Sequence, residues 1–135
     1  MIRQEELPMV AIASMNDTHL EDIILINKLS AAAENKDADS ASTIFAELIE
    51  HTITHFSGEE EMMREKNFPP YPIHKAEHDR VLKELKAVGE RFNEEKDFEL
   101  IKAYVDGALA PWLIQHVETL DTVTAMFLKN GAMPS

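Results

Sequence analysis

Apolar residues recur at helical spacing in four segments of the chain, and short polar or proline-bearing connections separate these segments. The first segment begins around Leu20, and we predict that Asn16 or Asp17 caps it and that it ends in the polar stretch 34–39. The second segment runs from about residue 40 to residue 66. No run of alternating apolar and polar residues predicts a strand, so the pattern indicates an all-α protein.

Three prolines mark the connection to the third segment, and the second helix is predicted to end before them. Each of Pro69, Pro70 and Pro72 fixes its own φ and disfavours helix in the residue before it, while Pro72 also suits the first turn of the next helix. The third helix is predicted to stop near Asn93. Its inward stripe has alternating spacings of four and three residues and consists of His74, His78, Val81, Leu85, Val88 and Phe92.

The fourth segment runs from about residue 97 to residue 129, and we expect Gly107 and Pro111 to bend or interrupt it. Residues 1–15 are predicted to be a non-helical lead segment whose apolar side chains lie across the helices. Four helices with short connections pack most simply as an up-down-up-down four-helix bundle. The pattern therefore predicts a single domain over residues 1–135.

Composition narrows the chemistry that such a bundle can perform. The 135 residues are 44% hydrophobic and 28% charged, which suits one globular core. The net charge of −12 disfavours nucleic acid and anionic membranes as partners. The start lacks a signal-peptide pattern and no stretch is long and apolar enough to span a membrane, so we expect a cytoplasmic protein. The chain has no cysteine, and any metal must bind to histidine and carboxylate side chains.

Histidines and carboxylates occur on the inward faces of all four predicted helices. They include two pairs with a spacing of four residues, which project from one face of a helix. Burying so many ionisable groups without a metal or mutual pairing would cost several kcal/mol, so a metal centre is favoured over a hydrogen-bonded polar core. The predicted metal ligands are His19, His55, Glu59, His74, His78, His116 and Asp121.

One spacing in this set does not fit a regular helix. Asp121 follows His116 by five residues, which places the two side chains on different faces of an α-helix. If both reach the same centre, the helix must be distorted locally, and a π-bulge is the distortion that we predict.

In order and spacing, the seven side chains resemble the ligand motif of the hemerythrin family, and the resemblance covers nearly the whole chain. It implies two iron ions (Fe²⁺ or Fe³⁺) joined by an oxo or hydroxo bridge. His74, His78 and His116 would bind one ion, His19 and His55 the other, and Glu59 and Asp121 would bridge them.

That division implies a function, because one iron has six ligands and the other has five and can take dioxygen. The resemblance implies reversible oxygen binding for storage, transport or buffering, with no catalytic residue. Phe56, Trp112 and Leu113 match apolar positions around the family's iron site and are predicted to line the oxygen pocket, with plain core packing as the alternative.

Two other functions stay open. The first alternative is a sensor of oxygen or redox state that acts through a partner protein, and the second is a di-iron enzyme that handles peroxide or nitric oxide. A ferritin-like oxidase is disfavoured, since no histidine follows a glutamate by three residues. His51 lies four residues before His55 on the same face and is not expected to be a ligand. It either supports the ligands without binding metal or, as we favour, is a partly exposed helix residue; Glu60 is expected to be solvated.

Overall fold

The computed structural model describes residues 2–131, except the side chain of Gln4; residue 1 and residues 132–135, the ends of the predicted domain, lie outside the described residues. Within that range there are four long helical stretches and no strand, so the all-α four-helix prediction is confirmed. The elements are a 3-10 turn (Gln4–Glu6) and helices α1 (Ala13–Glu34), α2 (Ala38–Glu65), α3 (Tyr71–Glu95), α4 (Phe98–Tyr104), α5 (Ala110–His116) and α6 (Thr122–Asn130).

Helices α4, α5 and α6 form one continuous fourth helix, because π segments join them at Val105–Leu109 and Val117–Asp121. The interruption predicted near Gly107 and Pro111 is present as a break in the regular α-helical hydrogen bonding, but the helix continues through it. Pro111 has no N–H for the carbonyl of the preceding turn, and the π segment just before it changes the hydrogen bonding without breaking the helix.

Helix α1 begins one turn earlier than predicted, and Asn16 is not its cap. Ile12 precedes the helix and makes no side-chain capping bond to the described residues. The Asn16 side chain instead accepts a hydrogen bond from the Val10 N–H at 2.8 Å and donates one to the Val10 carbonyl at 2.9 Å. Its amide thus pairs with a backbone donor and acceptor together, which fastens the lead segment to α1.

A second amide holds the start of the lead segment. The Asn27 side chain accepts from the Ile2 N–H at 2.9 Å and donates to the Ile2 carbonyl at 2.8 Å. Ile2 and Val10 are buried against the core, as the apolar pattern predicts, whereas Met9 is exposed. The lead segment therefore lies along the bundle and covers part of its core.

The bundle has an apolar half and a polar half. Helix α1 packs on α2 and α4, and α3 packs on the same two helices, as an up-down-up-down arrangement requires. Because neighbouring helices are antiparallel, Leu29, Leu48, Leu85 and Ile101 meet in one half, and all are buried. The predicted metal ligands meet in the other half. A small apolar cluster of Met63, Phe68 and Phe127 packs beyond them.

The described helices include none with the length and apolar character needed to cross a membrane.

Candidate metal centre

All seven predicted ligand side chains lie in the polar half of the bundle, and each residue is at most 8% exposed to solvent. The short helical spacings place each pair on one inward face, and the antiparallel packing brings the four faces together. The side chains fall into two groups that share both carboxylates.

The three-histidine group consists of His74, His78 and His116. The Nε2 atoms of His74 and His116 lie 3.1 Å apart, and each lies within 3.2 Å of Oδ1 of Asp121. Nε2 of His78 lies 3.3 Å from Oε1 of Glu59. Three imidazole nitrogens and one oxygen from each carboxylate therefore converge on one point.

The two-histidine group consists of His19 and His55. Nε2 of His19 lies 3.0 Å from Oδ2 of Asp121, and Nε2 of His55 lies 2.6 Å from Oε2 of Glu59. These are the carboxylate oxygens that point away from the three-histidine group. Each carboxylate thus offers one oxygen to either group, which is how a carboxylate bridges two metal ions.

The π segment Val117–Asp121 accounts for the irregular spacing in the fourth helix. It brings His116 and Asp121, five residues apart, to within 3.2 Å of each other through Nε2 and Oδ1. The Thr122 hydroxyl donates to the Val117 carbonyl at 2.6 Å and satisfies a backbone acceptor inside the distortion. The predicted π-bulge is confirmed.

The donor atoms fit a pair of iron ions. Five buried atoms in the centre lie close to one another but make no well-aligned hydrogen bond among the described residues, namely Nε2 of His19, Nε2 of His78, Oε1 of Glu59 and both oxygens of Asp121. Buried polar atoms without partners destabilise a fold, and a cation that accepts their lone pairs removes that cost. Imidazole and carboxylate donors suit iron.

Without metal, the same groups stabilise one another electrostatically. Burial opposes protonation of His19 and His74, but contacts with Asp121 and Glu59 outweigh it and raise each pKa to about 9. Burial and the Glu59 carboxylate raise the pKa of Asp121, but its histidine contacts outweigh both and hold that pKa below its ordinary value. A metal ion must therefore displace protons when it binds.

Sequence reasoning missed the polar residues that contact the far nitrogens of the ligand rings. Oδ2 of Asp22 lies 3.1 Å from Nδ1 of His55, and the Thr124 hydroxyl lies 2.8 Å from Nδ1 of His74. Asp22 follows His19 by three residues, so its inward position was readable from helical spacing. Its partner was not, because that depends on how α1 and α2 pack.

The expectation for Glu60 is wrong, and His51 combines the two alternatives predicted for it. The Glu60 side chain is only 12% exposed, and its Oε2 lies 3.0 Å from Nδ1 of His78. His51 is partly exposed as predicted, but its Nε2 also lies 2.7 Å from Oδ1 of Asp22.

Phe56, Trp112 and Leu113 line a small, mostly apolar cavity that reaches His55. The Phe56 ring stacks on His78 with centroids 3.9 Å apart, and the Trp112 ring stacks on His116 at 4.4 Å. One aromatic ring from α2 and one from α5 thus cover His78 and His116.

Three kinds of similarity agree with this geometry. The family model of the hemerythrin HHE cation binding domain matches residues 10–127. Bacteriohemerythrin of Aquifex aeolicus is 37% identical over 128 residues, which cover 95% of this chain and 98% of the relative. Myohemerythrin of Sipunculus nudus is 34% identical over 90 residues, or 64% of this chain and 63% of the relative. The crystal structure of wild-type hemerythrin shares the fold, with a TM-score of 0.81 at 21% identity over 95% of this chain and 96% of that one.

Hemerythrins are di-iron proteins that bind dioxygen. The buried histidine and carboxylate cluster of this chain is of the kind that binds iron. With a family model that matches most of its length, this chain belongs to the hemerythrin family.

Proposed function

We propose that this protein binds dioxygen reversibly at two iron ions and serves in oxygen storage, transport or buffering. One observation carries the proposal. The two oxygens of Glu59 face different histidine groups, those of Asp121 do the same, and the groups are unequal in size. The residues are arranged for two bridged ions with different numbers of protein ligands.

Each side chain has one task in this scheme. His74, His78 and His116 hold the ion with more ligands, and His19 and His55 hold the other. Glu59 and Asp121 bridge the two. When bound, the ion with fewer ligands supplies a coordination position for dioxygen.

Phe56 and Leu113 are each 4% exposed and form an apolar wall of the cavity next to His55. Such a wall excludes water and its protons from the dioxygen site, which favours release of the bound molecule unchanged. Asp22 and Thr52 also line this cavity, so the support for a carrier over a proton-supplying enzyme comes from its apolar wall alone.

Anaerobic reconstitution with Fe²⁺ tests the proposal. We expect about two irons per chain, since seven ligands exceed what one octahedral ion can use. Optical spectra recorded over repeated cycles of oxygen and argon should show an absorption band that appears and disappears without loss of amplitude. A protein that never exceeds one iron per chain, or whose band does not reverse, is not this carrier.

A further inference from the structure

Polar side chains contact the far Nδ1 atoms of three of the five ligand histidines. Asp22 contacts His55, Glu60 contacts His78 and Thr124 contacts His74. The Asp22 contact differs from the others, since this carboxylate also contacts a second imidazole, which is not a predicted ligand.

The Asp22 side chain, on α1, contacts two successive turns of α2. His51 and His55 are four residues apart, so their rings lie on the face of α2 that meets α1. Oδ1 of Asp22 lies 2.7 Å from Nε2 of His51, and Oδ2 lies 3.1 Å from Nδ1 of His55. The Asp22 side chain is 7% exposed and that of His51 is 18% exposed. One buried carboxylate therefore joins a ligand ring to a ring at the edge of the bundle.

A buried carboxylate is costly unless it is paired. The His51 ring, with Nε2 2.7 Å from Oδ1, supplies a second ion-pair partner for Asp22, although this nitrogen makes no well-aligned hydrogen bond to the described residues. Asp22 in turn fixes the ring of His55. With Nδ1 against the carboxylate, the opposite nitrogen, Nε2, faces the metal centre and lies 2.6 Å from Oε2 of Glu59. Such carboxylate partners select the imidazole tautomer and make the ring a stronger metal donor.

The two-histidine group depends on this contact more than its neighbour depends on any single one. Nδ1 of His19, the other ring of that group, is buried without a hydrogen-bond partner among the described residues. In the three-histidine group, both Thr124 and Glu60 hold a ring. For the ion bound by His19 and His55, the orienting contact comes through Asp22.

We propose that Asp22 and His51 are a positioning pair for His55, and that they set the affinity and reduction potential of the ion bound by His19 and His55 separately from those of its neighbour. The proposal rests on the proposed division of ligands between two ions. It predicts that changes in the pair alter one ion and leave the other nearly unchanged.

Two variants of nearly equal shape test the separation. Asp22→Asn replaces the carboxylate next to His55, and Glu60→Gln makes the matched change next to His78. Co²⁺ titration gives the affinity of each ion by its absorption, and Mössbauer spectra of the diferrous protein report the two irons as separate signals. His55→Ala and His78→Ala identify which signal belongs to which group.

In Asp22→Asn we expect about a 10–100-fold weaker affinity for the ion that His55→Ala affects, and a shifted Mössbauer signal for that iron alone. Glu60→Gln should shift the other signal. If Asp22→Asn leaves both ions as in wild type, or changes both equally, the positioning role is wrong. Circular dichroism of the metal-free variants ensures that only folded protein is compared.

His51 provides the second test, because its polar contact toward the metal centre is with Asp22, while its Nδ1 lies 3.7 Å from Oε2 of the exposed Glu21. His51→Gln keeps a donor near the position of Nε2 and should stay close to wild type. His51→Leu removes it and should reproduce part of the Asp22→Asn effect. Equal behaviour of the two variants would overturn the pairing.

A third bound ion would also overturn it, since the three side chains lie close enough to hold a cation themselves. Such an ion would appear as a third Co²⁺ equivalent that is lost in His51→Leu. None of these measurements needs oxygen. A protein that holds two ions and fails to release dioxygen would refute the proposed function and leave this test intact.

Discussion

At the scale of single residues, His55 and His78 occupy similar positions but belong to different groups. Both are buried, both present Nε2 to Glu59, and both have a carboxylate against Nδ1. They differ in the size of their groups: His55 belongs to the two-histidine group and His78 to the three-histidine group. Loss of either should therefore damage a different ion.

We expect His55→Ala to abolish oxygen binding with partial retention of iron, because it weakens the ion that takes dioxygen. His78→Ala should lose more iron, since it removes a ligand from the ion with the larger ligand set. Iron assays and oxygen-dependent spectra measure both, with Lys83→Ala on the exposed face of α3 as the control. Wild-type oxygen spectra in both histidine variants would show that these side chains are not ligands.

We expect Leu113→Ala to keep nearly all its iron but to lose the oxygenated form faster, because a larger cavity beside His55 admits water. The folding cost should be roughly 2–5 kcal/mol for a buried leucine. The measurement is the first-order decay of the oxygenated spectrum at constant pH.

Leu85→Ala is the matched control for this prediction. Leu85 is equally apolar and buried but lies in the apolar half of the bundle, away from the histidines. The Leu85→Ala variant should be destabilised to a similar extent, but its oxygenated form should decay at the wild-type rate. Equal decay in the wild type and Leu113→Ala would make Leu113 ordinary core.

At the scale of elements, helical spacing predicted most of what one helix determines alone. It gave four helices, the inward position of each ligand, and the distortion that the step from His116 to Asp121 requires. It failed where two elements meet. The partners of Asp22 and Glu60 lie on other helices, and Asn16 bonds to the lead segment, so each contact depends on packing that spacing does not encode.

The π segment Val117–Asp121 should serve the metal centre more than the fold, because π geometry is rarely favoured on its own. Deletion of the exposed Thr119 should restore regular α-helix there and keep the metal-free protein folded. Because His116 and Asp121 then lie four residues apart, on one helical face, the protein should also keep most of its iron. Thermal melts and iron assays measure the two effects. Deletion of Lys83, in the regular helix α3, is the control and should unfold the protein by rotating every later inward residue. Loss of iron after deletion of Thr119 would contradict the idea that the π segment serves only to bring His116 and Asp121 onto one face.

In the molecule as a whole, the negative charge of the buried carboxylates can be balanced either by protons on histidines or by metal ions. Without metal, protonated His19 and His74 face ionised carboxylates; with metal, the ions replace these protons. The stability of the metal-free form and the affinity for metal should therefore respond to pH in opposite directions.

The metal-free protein should lose stability between pH 6.5 and 9. In the folded chain the pKa values of His19 and His74 are raised from 6.5 to about 9, so their contribution is complete below pH 6.5 and disappears as the pH rises through 9. Calorimetry should show a Tm lower by roughly 5 °C or more at the alkaline end.

Over the same interval, Co²⁺ affinity should rise by about tenfold per pH unit for each displaced proton. The lysine-to-alanine variant Lys83→Ala should follow the same two curves, since its side chain lies outside the centre. A metal-free Tm that rises toward pH 9 would mean that these histidines are not paired with Glu59 and Asp121 in solution.

The division of the bundle into an apolar and a polar half also bears on the order of events in the cell. Leu29, Leu48, Leu85 and Ile101 are buried between the four helices in the half that contains no predicted ligand. We therefore expect the chain to fold and to bring its ligands together before an ion arrives. Such a protein can accumulate empty and be loaded later. A preformed site of nitrogen and oxygen donors also accepts other divalent ions, so which metal it carries will follow metal availability as much as its own selectivity.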